Sequence, residues 1–278
     1  MKVAKSIASF RVWRKGLTER VVFVPTMGAL HHGHAELFRS ARALAGRKGS
    51  VVVSLFVNPT QFAPEEDFLS YPRPWRKDLS VCQESAADAV FLPSAEEMYF
   101  PDRSITVEES LLSASLCGRS RPGHFRGVCT VVSKLFLVVQ PTHAVFGEKD
   151  WQQLAIIRRM VRDLNFPIEV RGHPTVREAD GLAVSSRNAY LSAEERAMAP
   201  LIYAALRSAA LENSPRAIVG RAKKLLGKIS SARVDYVEAV EEASLQPLKN
   251  RRNSGRLAAA VFLGRTRLID NLPLPRLA

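Results

Sequence analysis

Apolar residues in the first 175 positions of this 278-residue chain gather into short continuous runs separated by longer amphipathic stretches. The runs fall at residues 21–24, 51–57, 89–92, 144–146 and 168–170. Continuity without alternation is the pattern of strands buried on both faces. Between them, residues 34–45, 75–87, 128–139 and 151–164 have helical length and apolar spacing, and Asn165 and Pro167 end the last of these. Strand and helix alternating in this way predict a parallel sheet covered by helices, an α/β fold. After about residue 175 the pattern changes. Ser192 with Glu195 forms a capping box ahead of a helical stretch to residue 210, and Ser214 with Pro215 opens a second helix to about residue 229. Strand-like runs follow at 234–240, 257–263 and 265–269, with Gly264 as the turn between the last two. The chain therefore divides into residues 1–175 and a smaller α+β domain over 176–278.

Composition narrows the class of protein. Hydrophobic residues make up 46% of the chain, enough for a real core, and no run of about 18 apolar residues suggests a membrane span. The first sixteen residues alternate basic and apolar side chains without a signal-peptide core, so the expected location is the cytoplasm. Cys82, Cys117 and Cys129 are odd in number and have no C-x-x-C spacing, which indicates neither a disulfide framework nor a zinc knuckle. Lys and Arg outnumber Asp and Glu by 40 to 27, but they are scattered. The basic runs at 221–228 and 249–256 lack interleaved aromatics, so no specific nucleic-acid partner is expected.

The unusual polar residues cluster where the strands end. PTMGALHHGH follows the first strand (residues 25–34), NPTQF follows the second (58–62) and GEKD follows the fourth (147–150). In an open α/β sheet ligands bind just outside the carboxyl ends of the strands, so the three loops are expected to converge. His31 and His34 flank Gly33 at the start of a helix, whose free N–H groups and partial positive charge suit a polyphosphate. Two histidines donating hydrogen bonds there would stabilise charge on an α-phosphate as pyrophosphate leaves, which is adenylyl transfer. The adjacent His32 is expected to face outward. Lys149 is placed on a phosphate, with Asp150 near a ribose hydroxyl or capping the next helix, and Gln153 one turn further on. In DGLAVSSRN (180–188), Ser185, Ser186 and Arg187 form either a loop that closes over a triphosphate or a plain interdomain link. Arg121, beside Gly123, either makes a turn or reaches a carboxylate or phosphate. Asn58 and Gln61 are uncharged amides suited to orienting a small hydroxylated substrate. No Ser-His-Asp set or activated cysteine competes, so the chemistry reads as polarisation of ATP and an acid without a covalent enzyme intermediate.

Taken in order, PTMGALHHGH, FVNPTQF, YPR at 71–73, RPGHF, FGEKDWQQL, DGLAVSSRN and TRLIDN at 266–271 resemble the motifs of the pantoate–β-alanine ligases, and together they span nearly the whole chain. H-x-G-H alone would imply only the wider nucleotidyltransferase superfamily. The resemblance implies a Rossmann-like parallel sheet with a small C-terminal lid domain, a homodimer, and ATP accompanied by magnesium. It implies the formation of pantoyl adenylate and pyrophosphate, followed by attack of the β-alanine amine to give pantothenate and AMP. By the same resemblance, ATP is held by Met27, Gly28, Ala29, Leu30, His31, His32, Gly33 and His34, with His34 the proton donor. Further ATP contacts fall to Gly147, Glu148, Lys149, Asp150, Val176, Val184, Ser185, Ser186 and Arg187, with Lys149 and Arg187 the main phosphate cations. Gln61 and Gln153 would hold pantoate, with Asn58 nearby and Arg121 assisting; ligands for the metal are not assigned. The chain departs from the commoner pattern at Pro74, Trp75, Thr142 and His143. Two alternatives remain open: another H-x-G-H adenylyltransferase acting on a phosphate or nucleotide acceptor, and a catalytically dead relative that binds RNA.

Overall fold

The computed structural model describes residues 1–64 and 66–277; Ala278, the end of the expected C-terminal domain, lies outside the described residues. It separates into two compact units, Met1–Ser110 with Arg121–Glu148 and Ile156–His173, and Leu111–Ser120 with Lys149–Ala155 and Pro174–Ala278.

The first unit is built on a six-stranded sheet of β1 (Lys2–Ala4), β2 (Val21–Thr26), β3 (Ser50–Leu55), β4 (Ala89–Phe91), β5 (His143–Gly147) and β6 (Glu169–His173). The order is β1-β4-β3-β2-β5-β6 and every pairing is parallel. The chain runs outward from β2 through β3 to β4 and then returns to place β5 on the other side of β2. The strand order therefore reverses between β2 and β5, the point at which such sheets open a ligand crevice. Pro25 sharpens that opening. It has no N–H to give, and the β2–β5 ladder covers only Val22 with His143 and Phe23 with Ala144, whereas the β2–β3 ladder continues to Thr26 with Leu55.

The helices are α1 (Ile7–Lys15), α2 (His32–Ala45), α3 (Trp75–Glu84), α4 (Ala95–Met98), α5 (Leu116–Ser120), α6 (His124–Val139), α7 (Trp151–Asp163), α8 (Ala193–Met198), α9 (Pro200–Ala209) and α10 (Pro215–Leu226). One face of the sheet packs on α2 through Val22, Val24, Val51, Val53, Phe38 and Ala41, all fully buried. Helix α6 is apolar almost all round, and twelve of its sixteen residues are buried.

The second unit carries an antiparallel sheet of β7 (Ala232–Glu241), β8 (Gly255–Leu263) and β9 (Thr266–Leu274), with α9 and α10 packed on it through Ile202, Leu206, Ile218 and Leu226. The expected capping box is present: Ser192 accepts from the Glu195 N–H, and the Glu195 carboxylate accepts from the Ser192 N–H. The expected single helix to residue 210 is two, because Pro200 supplies no N–H to continue the first and instead opens the second. Cys82, Cys117 and Cys129 are free and buried, and burial pushes the thiols of Cys82 and Cys129 up to about 12. Among the described residues, no helix is long and apolar enough to cross a membrane.

Candidate active site

The loop from β2 to α2 is held open by two successive left-handed residues, Gly28 at φ 80° and Ala29 at φ 51°. Only glycine adopts that conformation freely, and a side chain at 28 would also meet the Trp75 ring at 2.6 Å. Trp75, one of the departures noted above, is thus the floor under this glycine. Asp78, in the first turn of α3 and fully buried, accepts from the N–H groups of Ala29 at 3.0 Å and Leu30 at 2.8 Å. Burial raises its pKa, while the two N–H bonds oppose that. This clamp fixes the chain immediately before the histidines. Nothing in the sequence flagged it, since the two halves lie 48 and 49 residues apart.

His31 occupies the N-cap of α2, and His34 sits one turn in, with ring centroids 4.0 Å apart. The His31 N–H donates to Nδ1 of His34 at 3.3 Å. An Nδ1 that accepts leaves the ring proton on Nε2, so His34 presents an N–H donor on its far side. His32 is exposed, as expected, and Gly33 is buried. A cavity of about 650 Å³ opens beside His31 and His32, lined also by the basic Arg39, Arg42 and Lys77 and the acidic Glu84. Its lining comes from the segments around α2 and α3 and includes neither His34 nor Gln61, and Arg39 and Arg42 are already paired with Glu36 and Asp88.

The NPTQF loop forms a 3₁₀ turn, Pro59–Gln61, organised by Asn58. Asn58 is 1% exposed. Its Nδ2 donates to Oε1 of Gln61 at 3.0 Å and to the Gly127 carbonyl at 3.1 Å. Its Oδ1 accepts from the Tyr99 hydroxyl at 2.8 Å and the Thr60 hydroxyl at 2.9 Å. The amide is spent on protein groups, so Asn58 acts through Gln61. Gln61 lies against the first loop, its Nε2 3.1 Å from the Met27 sulfur.

Arg121 forks onto Glu66 at 2.6 and 2.7 Å and contacts Nε2 of His124 at 3.0 Å. Nδ1 of His124 lies 2.8 Å from the Gln61 carbonyl, which can only accept. The tautomer that satisfies both contacts has its proton on Nδ1, with Nε2 accepting from Arg121. Arg121 therefore supports the backbone of Gln61, through His124 and through its own longer contact at 3.4 Å. Burial alone would raise the Glu66 pKa, but the Arg121 fork holds it below the usual carboxylate range.

In the second unit, Lys149 lies in a 3₁₀ turn, Glu148–Asp150, that runs into α7, and its Nζ is 3.8 Å from the Asp150 carboxylate. The neighbouring glutamines differ. Gln152 is buried, accepting from the Cys117 N–H at 2.9 Å and donating to the carbonyls of Leu112 and Ser115, whereas Gln153 is part-exposed. The segment from 176 to 190 is more tightly built than a flexible loop. Val184 donates to the Val176 carbonyl at 3.0 Å, Gly181 turns at φ 93° against Tyr203, and Asp180 pairs with Arg196 at 2.6 Å. The Ser185 hydroxyl accepts from the Arg187 N–H at 3.3 Å and caps a 3₁₀ helix, Ser186–Tyr190. Among the described residues, no group of three or more His, Cys, Asp and Glu gathers to hold a metal ion.

A family model described as pantoate-beta-alanine ligase matches residues 2–273. A pantothenate synthetase of Akkermansia muciniphila is 52% identical over 92% of each chain, and one of Thermotoga petrophila is 47% identical over 98% of this chain and 99% of its own. A crystal structure of the pantothenate synthetase of Thermus thermophilus superposes with a TM-score of 0.94 at 45% identity, covering 99% of this chain and 100% of the other. The pantoate-beta-alanine ligase of Francisella tularensis, complexed with beta-gamma ATP and beta-alanine, gives 0.82 at 34% identity over 98% and 97%.

Proposed function

Since the chain belongs to the pantoate–β-alanine ligase family and condenses pantoate with β-alanine at the expense of ATP, we propose the following division of the work among its residues. A pantoate carboxylate oxygen attacks the α-phosphorus, the bond from that phosphorus to the bridging oxygen breaks, and pyrophosphate leaves. The β-alanine amine then attacks the pantoyl carbonyl, so that the amide forms and AMP departs.

His34 donates from Nε2 to the phosphate oxygen that gains charge, and His31 stands beside the phosphates. The observation that carries this assignment is the His31 N–H on Nδ1 of His34, because it fixes which nitrogen bears the proton. Met27 to Leu30, His32 and Gly33 supply the rest of the ATP loop. Gly147, Glu148, Asp150, Val176, Val184, Ser185 and Ser186 add further ATP contacts, with Lys149 and Arg187 as phosphate cations. Gln61 and Gln153 hold pantoate. Asn58 and Arg121 serve that site by fixing Gln61, which their hydrogen bonds support. Magnesium enters as the counter-ion of ATP, with triphosphate and water oxygens as its donors. The protein works in the cytoplasm as a homodimer, with residues 1–175 binding nucleotide and pantoate and residues 176–278 contributing Val176 and Val184 to Arg187.

The test is release of AMP and pyrophosphate from ATP and magnesium with pantoate, with and without β-alanine. AMP that requires both acids, together with pantothenate identified by mass spectrometry, is the expected result. Pyrophosphate release without pantoate would point to a different acceptor.

A further inference from the structure

The terminal TRLIDN motif has no part in the division above. Within the second unit, Asn271 on β9 and Arg256 on β8 are both buried, at 4% and 6% exposure. The Arg256 guanidinium lies 3.4 Å over the Trp151 ring and donates to Oδ1 of Asn271 at 2.8 Å. Nδ2 of Asn271 donates in turn to the Lys149 carbonyl at 2.9 Å. Trp151, two residues beyond Lys149, is tied by its indole N–H to the Glu242 carbonyl at 3.1 Å. The motif's Asp270 accepts both the Asn271 N–H at 2.7 Å and a fork from Arg177 at 2.7 and 2.8 Å, which pins the strand at this register.

We propose that Asn271, oriented by Arg256, is a positioning residue that sets the backbone of Lys149 and so aims its ammonium at the nucleotide. The chemistry allows one arrangement. A guanidinium has no acceptor, so the Asn271 atom facing it is the oxygen, and the amide NH₂ then faces the Lys149 carbonyl. The buried amide of Asn271 has both ends satisfied only while that carbonyl stays in place, and an unsatisfied buried group is costly. A flexible lysine stem depends on such an anchor for its aim, since a misplacement of about 1 Å at a reacting centre can cost ~100-fold in rate.

The inference rests on Lys149 being a phosphate cation, and the experiment separates the two. Asn271→Asp keeps the shape and the acceptor for Arg256 but replaces the donor facing Lys149 with a second acceptor. It is expected to lower pantoate-dependent pyrophosphate release by about 10- to 100-fold while leaving the KM for β-alanine unchanged. In a Lys149→Ala background the same substitution is expected to change the rate less than about twofold. Full multiplication of the two losses, or an Asn271→Asp enzyme as fast as wild type, would overturn the proposal. A Lys149→Ala enzyme that keeps its rate would instead remove the reading of Lys149. Should Asn271→Asp fail to fold, Arg256→Lys enters the same cycle, because it keeps a charge and a donor but loses the planar seat on Trp151.

Discussion

An imidazole beside a developing negative charge helps only if it presents a proton, and in the role proposed for His34 the backbone of His31 decides that by donating to Nδ1. An asparagine at position 34 could repeat this division, its carbonyl accepting from His31 and its amide NH₂ facing the phosphate. An alanine could not. We expect His34→Ala to reduce pantoate-dependent pyrophosphate release by about 10²- to 10³-fold, the usual cost of one such donor, and His34→Asn to recover about tenfold of it. An asparagine variant no better than alanine would show that the direction of the donor is not what matters. The same distinction between a group's chemistry and its placement separates the paired residues nearby. Gln152 and Gln153 are chemically alike, but the first is used up inside the protein. Asn58 and Gln61 are likewise both amides, yet Asn58 spends its hydrogen bonds on holding Gln61.

Elements carry these residues, and one tight approach between two of them is where α6 meets the 3₁₀ turn Pro59–Gln61. A methyl group at Gly127 would sit 2.7 Å from the Gln61 nitrogen and closer still to the Thr60 carbonyl. In an isolated helix Gly127→Ala would gain about 1 kcal/mol from propensity. Here overpacking of about 1–3 kcal/mol opposes that gain, and relief requires the turn to move. We expect a lower melting temperature, by about 2–4 °C per kcal/mol lost, together with a raised KM for pantoate. A more stable variant with an unchanged KM would contradict the packing argument. Burial also explains which elements the sequence discloses. Strands β2 to β5 are largely covered on both faces and read as apolar runs, but β1 has three residues of which only Ala4 is buried, too little for a pattern. Helix α1 is nine residues long and buries only Phe10, so it offers no buried stripe to read. The H-x-G-H turn is legible because all its parts are adjacent in sequence. Asp78 and Glu66 are not, because each acts on a loop 48 or more residues away, and Asn271 is legible only as the end of TRLIDN, since its contact with Lys149 spans 122 residues and exists only once the chain has folded.

The whole molecule carries a net charge of +13, and its three substrates respond to that charge differently. ATP is strongly anionic, pantoate carries one negative charge, and β-alanine is a zwitterion with no net charge. A scattered excess of lysine and arginine adds little to any single contact but raises the local concentration of anions around the protein, an effect screened beyond about 10 Å at 0.1 M salt and about 3 Å at 1 M. Raising the ionic strength should therefore lower kcat/KM for ATP severalfold while leaving that for β-alanine nearly flat. Local cations such as Lys149 would produce part of the same response, so the contribution of the overall field is isolated by changing charges with no catalytic part. Arg221, Lys223 and Lys224 are exposed on α10. Reversing all three to glutamate removes six units and leaves a net charge of +7 from the original +13. We expect the triple variant to melt as wild type does, to lose kcat/KM for ATP at about 0.05 M salt, and to converge on wild type near 0.5 M, where the Debye length is only a few ångströms. Equal rates at low salt would mean that the distributed charge serves solubility and that capture of ATP depends on the cations at the site alone.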